Sequence, residues 1–211
     1  MSLKDSETRV RVLTAASRLF AENGFEKVTV REICRAADAN VAAVNYHFGD
    51  KEGLYREVLG KAMETMQATT DAARHAGIGG SSEQKLRAYI RVFLQRVIGE
   101  GHDTWIHQLM AHEIADPTPA LDLVIDQVIK PRMAYLSDLV ADILRLSSDD
   151  ERVLRCVLSI QSQCHAAMTS AVSRRFMPDF GGDSSAIDRL ALHIAEFSLG
   201  GIHSLKTARS A

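Results

Sequence analysis

The stretch NVAAVNYHFGDKEGLY, residues 40–55, packs small apolar residues, a carboxamide, a Tyr-His-Phe cluster and a Lys-Glu pair into one short segment. In a helix, Val44 and Phe48, four apart, point to one face, while Val41, Ala42, Asn45 and Tyr46 fall on the other. The DNA major groove is wide enough for a helix, and small or flat residues on the leading edge permit close approach to base edges. The chemistry on offer is recognition.

Such a helix needs a short scaffold around it. Thr29-Val30-Arg31-Glu32 has the T-x-x-E form of a capping box, in which hydroxyl and carboxylate satisfy each other's backbone donors, and it opens a helix to about Ala37. Asp38-Ala39 makes a turn, Asn40 caps the helix ending at His47 or Phe48, Gly49 breaks it, and Asp50 caps a fourth helix from Lys51 to about Arg74. Upstream, residues 6–22 form a first helix with Val10, Leu13, Leu19 and Phe20 on one face, stopped by Asn23-Gly24. Two short helices joined by a tight turn outline a helix-turn-helix unit, with Val44 and Phe48 packed inward beside Ile33.

The rest also reads with helical period, and nothing alternates as a strand. HAGIGGSS is a loop. Ser81-x-x-Gln84 opens a helix with Leu86, Tyr89, Ile90, Phe93, Leu94, Val97 and Ile98 in one stripe, closing near residues 99–101. A shorter helix covers about 103–115, and Thr118-Pro119 opens one to about Arg145, with a bend expected at Pro131. Ser148-x-x-Glu151 caps a helix to about Arg175. Ser184 or Ser185 opens the last, with Ile187, Leu190, Ile194, Phe197, Ile202 and Leu205 on its face. The expectation is an all-α chain of about nine helices, with a helix-turn-helix domain at 1–50 and a larger domain at 51–211, residues 51–74 connecting them.

The chain has 211 residues, 46% of them hydrophobic and 25% charged, as an ordinary globular protein has. No apolar run approaches a membrane span and the start has no apolar leader core, so a cytoplasmic location is expected. Cys34, Cys156 and Cys164 form no CxxC pair, which argues against a disulfide framework or a thiolate zinc site. No cofactor is expected. Residues 1–60 hold nine basic and nine acidic side chains, so this region lacks the overall basic footprint of many DNA binders.

Residues 6–55, through VTVREICRAADANVAAVNYHFGDKEGLY, resemble the N-terminal domain of TetR-family transcription regulators. HEIADPTPALDLVIDQVIKPRMAYL is similar to the ligand-binding part of the CecR (YbiH)-like subgroup. The resemblance implies an all-helical homodimer whose last two long helices pair across a two-fold axis, binding a near-palindromic double-stranded operator, more often as a repressor, and released by a small molecule. It implies phosphate contacts for Thr29, through a free hydroxyl and exposed N–H groups, and for Tyr46, His47 and Lys51. Base reading falls to Asn45, suited to adenine, to Val41 and Ala42, suited to a thymine methyl, and to Arg31, the basic side chain best placed for guanine.

In the larger domain, Trp105, Arg132, Gln161 and His165 are polar or aromatic residues within apolar stripes, and a bent helix beside them makes room for an apolar or aromatic effector. Each of them also has an ordinary role open to it as a satisfied core or surface group. A different class of reading, a helical enzyme or metal-dependent binding protein, would use the His112, Glu113 and His165 region. His107 and His112 lack the i, i+4 spacing, and His112-Glu113 falls short of HExxH, so no functional metal site is expected.

Overall fold

A computed structural model of the chain describes residues 3–99, 104–169, 175 and 183–207, and every element among them is helical. In order these are α1 (Leu3–Asn23), α2 (Val30–Ala36), α3 (Val41–Phe48), α4 (Lys51–Ala76), α5 (Ser82–Ile98), α6 (Thr104–Ala115), α7 (Leu121–Val124), a π-helical turn (Ile125–Ile129), α8 (Lys130–Leu144), α9 (Glu151–Thr169) and α10 (Ser184–Thr207). Packing groups them into two compact units, Met1–Thr65 with Asp103–Gln127, and Met66–His102 with Val128–Ala211. One division falls inside α4 and another inside the π turn.

The first unit is built on α1, whose buried face is Val12, Ala15, Ala16 and Phe20. Val10, expected on that face, is 58% exposed, because it lies two residues from Val12 and so on the opposite side of a helix whose buried stripe runs through 12, 16 and 20. Ile33, Val44, Phe48, Leu54, Tyr55, Val58 and Leu59 complete this core, with Ile106 and Leu109 of α6. Gly49 closes α3 at φ +81°, in the left-handed region that glycine enters without a steric cost. Gly53 is required by space, since a Cβ there would come within 2.0 Å of the Phe48 carbonyl oxygen.

In the second unit, α5, α8, α9 and α10 surround Leu86, Tyr89, Ile90, Leu94, Leu136, Val140, Val157, Ile160, Ile187 and Ile194. The Ser81–Gln84 capping box is present in full. Two other caps differ from the sequence reading. Asp150, not Ser148, accepts from the Arg152 N–H at the start of α9, and Asp183 accepts from the Ala186 N–H at the start of α10. In each case the carboxylate stands immediately before the first helical residue, where a side chain can accept from the first-turn N–H groups, whereas Ser148 lies further back and Ser184 and Ser185 are already within the helix. The distortion expected at Pro131 takes the form of the π turn just before α8. Proline offers no N–H and its ring crowds the carbonyl four residues back, and a widened turn accommodates both. Phe197 and Leu205, expected on the inner face of α10, are 68% and 44% exposed. The expected run of α9 to Arg175 includes 170–174, and the expected close of α5 includes 100–101; these positions lie outside the described residues.

Candidate nucleic-acid interface and effector cluster

Local chemistry sets the α2–α3 geometry. The Thr29 hydroxyl accepts from the Glu32 N–H at 3.3 Å and donates to Glu32 Oε2 at 2.8 Å, and the same carboxylate accepts from the Thr29 N–H at 2.8 Å. The hydroxyl taken as free for a phosphate is thus already engaged. These hydrogen bonds, the side-chain one foremost, hold the Glu32 carboxyl below its usual pKa. Asp38 takes up φ +48° in the turn, where Arg11 donates through Nε to Ala37 O at 3.0 Å and through Nη2 to Asp38 O at 3.2 Å. Arg11 was not picked out from the sequence. Its clamp depends on tertiary proximity that spacing does not reveal. Asn40 Oδ1 accepts from the Ala43 N–H at 2.8 Å and starts α3.

With α3 so fixed, Val44 and Phe48 are buried and Val41, Ala42, Asn45 and Tyr46 are exposed, Tyr46 to 76%. The His47 ring, half-buried, stands edge-on to Tyr46 at 4.9 Å. Arg31 is exposed on α2. Lys51 is half-buried, its Nζ 4.2 Å from the Phe25 ring centroid and donating to Glu26 O at 3.4 Å. The face therefore presents a carboxamide, two small apolar side chains, a phenol and one guanidinium around a rigid helix, which suits base-edge contact flanked by phosphate contact. A shallow concavity of about 460 Å³ beside it is lined by Thr8, Arg11, Asn40, Ala43, Tyr46 and His47 among others.

Of the proposed effector residues, Arg132, Gln161 and His165 come together in the second unit, while Trp105, half-buried on α6, belongs to the first. Arg132 is 7% exposed and Gln161 6%. The Arg132 guanidinium lies over the Phe93 ring at 5.7 Å, and Gln161 Nε2 donates to Tyr89 Oη at 3.4 Å. Arg132 Nε and Gln161 Oε1 are buried without a hydrogen-bond partner among the described residues. Burial pushes Tyr89 and Cys164 each up to about 12, with the Arg132 cation opposing it. His165 is exposed on α9 and edge-on to Phe93 at 6.2 Å, and its pKa is lowered by desolvation and then by Arg132. A groove of about 720 Å³ nearby is lined by Arg74, Ile78, Lys85, Pro131, Tyr135 and Leu139 among others, and the Tyr135 ring lies 6.0 Å from that of Tyr89.

His112 and Glu113 belong to the first unit and His165 to the second. Glu113 is buried, with Oε2 accepting from Tyr55 Oη and Oε1 from the Thr118 N–H at 2.9 Å and hydroxyl at 2.7 Å. Both of its carboxylate oxygens are thus engaged by partners within the first unit, as a buried carboxylate requires.

Residues 12–58 match the family model described as bacterial regulatory proteins of the tetR family, and residues 82–202 match the C-terminal domain of the HTH-type transcriptional dual regulator CecR. The HTH-type transcriptional dual regulator CecR of Shigella flexneri is 28% identical over 162 residues, covering 73% of this chain and 72% of that protein. The HTH-type transcriptional repressor AcnR of Corynebacterium glutamicum is 37% identical over 75 residues, 36% of this chain and 35% of AcnR. In fold, the chain is similar to SCO4454, a TetR-family regulator from Streptomyces coelicolor, with a TM-score of 0.64 at 22% identity over 92% of this chain and 96% of that one. A tetR-family regulatory protein from Rhodococcus RHA1 gives 0.69 at 17% identity over 96% and 98%.

Proposed function

The chain belongs to the TetR family of transcription regulators, with a CecR-type C-terminal domain, and on that footing we propose that α3 reads an operator in the major groove while the second unit senses a small molecule. It is a DNA-binding transcription regulator, and the DNA-binding domain is residues 1–50. Asn45, Val41, Ala42 and Arg31 contact base edges; Tyr46, His47, Lys51 and Thr29 contact phosphates, Thr29 through the backbone N–H groups at the start of α2. The observation that carries this is the exposure of Asn45 and Tyr46 on a helix whose Val44 and Phe48 are buried and whose N-cap and C-cap are both hydrogen-bonded.

The working form is a homodimer through α9 and α10. Leu192, Phe197 and Leu205 on α10 and Leu154 and Leu158 on α9 are exposed large apolar side chains, the kind of surface that a second copy would cover. Two-fold symmetry then demands a near-palindromic site with half-sites about one helical turn apart or a multiple of it. An effector that binds better to a conformer with a different spacing lowers DNA affinity, and repression is relieved. Selecting bound duplexes from a random DNA pool tests this. The expected product is a near-palindrome; enrichment of no sequence, or of a single asymmetric half-site, would count against it.

A further inference from the structure

We propose that Arg132 is the anchor for an organic carboxylate, an aryl or alkyl acid whose apolar body packs on Phe93 and Tyr89 and whose hydroxyl or N–H group, where it has one, pairs with Gln161. The inference rests on the effector reading above and gives that effector a chemical class.

A buried guanidinium is unfavourable unless an anion and hydrogen-bond acceptors compensate it. Arg132 meets the face of Phe93 instead, and its Nε has no acceptor. An aromatic face offsets part of the lost hydration and satisfies none of the N–H donors. On α9, Gln161 repeats the pattern: its Nε2 donates to Tyr89 Oη, and its Oε1 is left as a buried acceptor. An arginine Nε without an acceptor and a carboxamide oxygen without a donor, both buried, call for a molecule that brings an acceptor, best an anion beside a guanidinium, and a donor. The planar guanidinium fork matches a carboxylate with two parallel hydrogen bonds, and its strength in a water-poor site far exceeds that of the matching neutral amide. Tyr89 and Phe93, buried on the same helix with rings nearly parallel at 5.8 Å, supply an apolar wall. His165 is held toward its neutral form beside them, so it does not compete with Arg132 as a second cation. Admission of the acid requires this part of the core to open, which makes binding select one conformer over another, as regulation demands.

The full-length protein is tested by calorimetry and thermal melts with phenylacetate, 4-hydroxyphenylacetate and octanoate, each beside its primary amide. At least one acid should bind roughly tenfold or more tightly than its amide. Arg132→Met should abolish that preference and, by removing a buried guanidinium whose Nε lacks an acceptor among the described residues, raise the melting temperature of the protein without ligand. Arg132→Lys should keep part of the preference, and Gln161→Leu should weaken 4-hydroxyphenylacetate more than phenylacetate. Equal binding of acid and amide, binding of none of the three acids, or an acid preference that survives Arg132→Met would overturn the assignment, as would a lower melting temperature in both Arg132→Met and Arg132→Gln. Release of selected operator DNA by a neutral compound alone leaves the effector reading standing and overturns this one; an acid that binds through Arg132 without releasing DNA does the reverse.

Discussion

Thr29 is asked to do two things with one hydroxyl. The capping box commits it to Glu32, and the resulting carboxylate, favourable to the α2 N-terminus, stands where a phosphate would approach the same N–H groups. Glu32→Gln keeps an acceptor for the Thr29 N–H and removes the charge. DNA affinity should rise several-fold at low salt and the difference should shrink at high salt, which anisotropy titrations at two salt concentrations will show. The pH dependence follows from the sign of the shift: the folded Glu32 pKa is depressed, so its contribution to stability is complete above the ordinary carboxylate range and is lost as pH falls through the lowered value. Melts of the wild type and Glu32→Gln between neutral and acid pH should converge in acid, and a gap that widens there would contradict the assignment.

The elements were legible to unequal degrees, for physical reasons. Capping boxes at Thr29 and Ser81 are local, and a hydroxyl three residues before a Glu or Gln announces itself in the sequence. The inward face of α3 was legible from a two-residue apolar pattern. Which of several neighbouring polar residues caps α9 and α10 depends on a difference of one or two residues in where the backbone turns, and Asp150 and Asp183 take the place of the serines expected there. The Glu113 network was not legible, because Tyr55 lies 58 positions away along the chain. Tyr55→Phe should therefore leave a buried carboxylate oxygen unsatisfied and cost about 1–3 kcal/mol in urea unfolding. Gly53→Ala must displace the Phe48 carbonyl, so it should destabilise the first unit and weaken DNA binding through α3 without touching any proposed contact.

For the whole molecule, the claim is that two copies present two α3 helices to one duplex. Phe197→Glu should convert dimer to monomer by light scattering and weaken operator binding, since each half-site alone loses the linkage between them. With nine basic and nine acidic residues between 1 and 60, affinity depends on local placement of few cations, so log affinity against log salt should give a modest slope, well short of that for about ten phosphates per monomer. The most direct test of the central claim compares a selected operator with a scrambled duplex for the wild type and Asn45→Ala. The outer face of α3 as reader predicts that operator affinity falls by about 1–3 kcal/mol while scrambled binding is unchanged. Equal loss on both duplexes, or no loss on either, would contradict it.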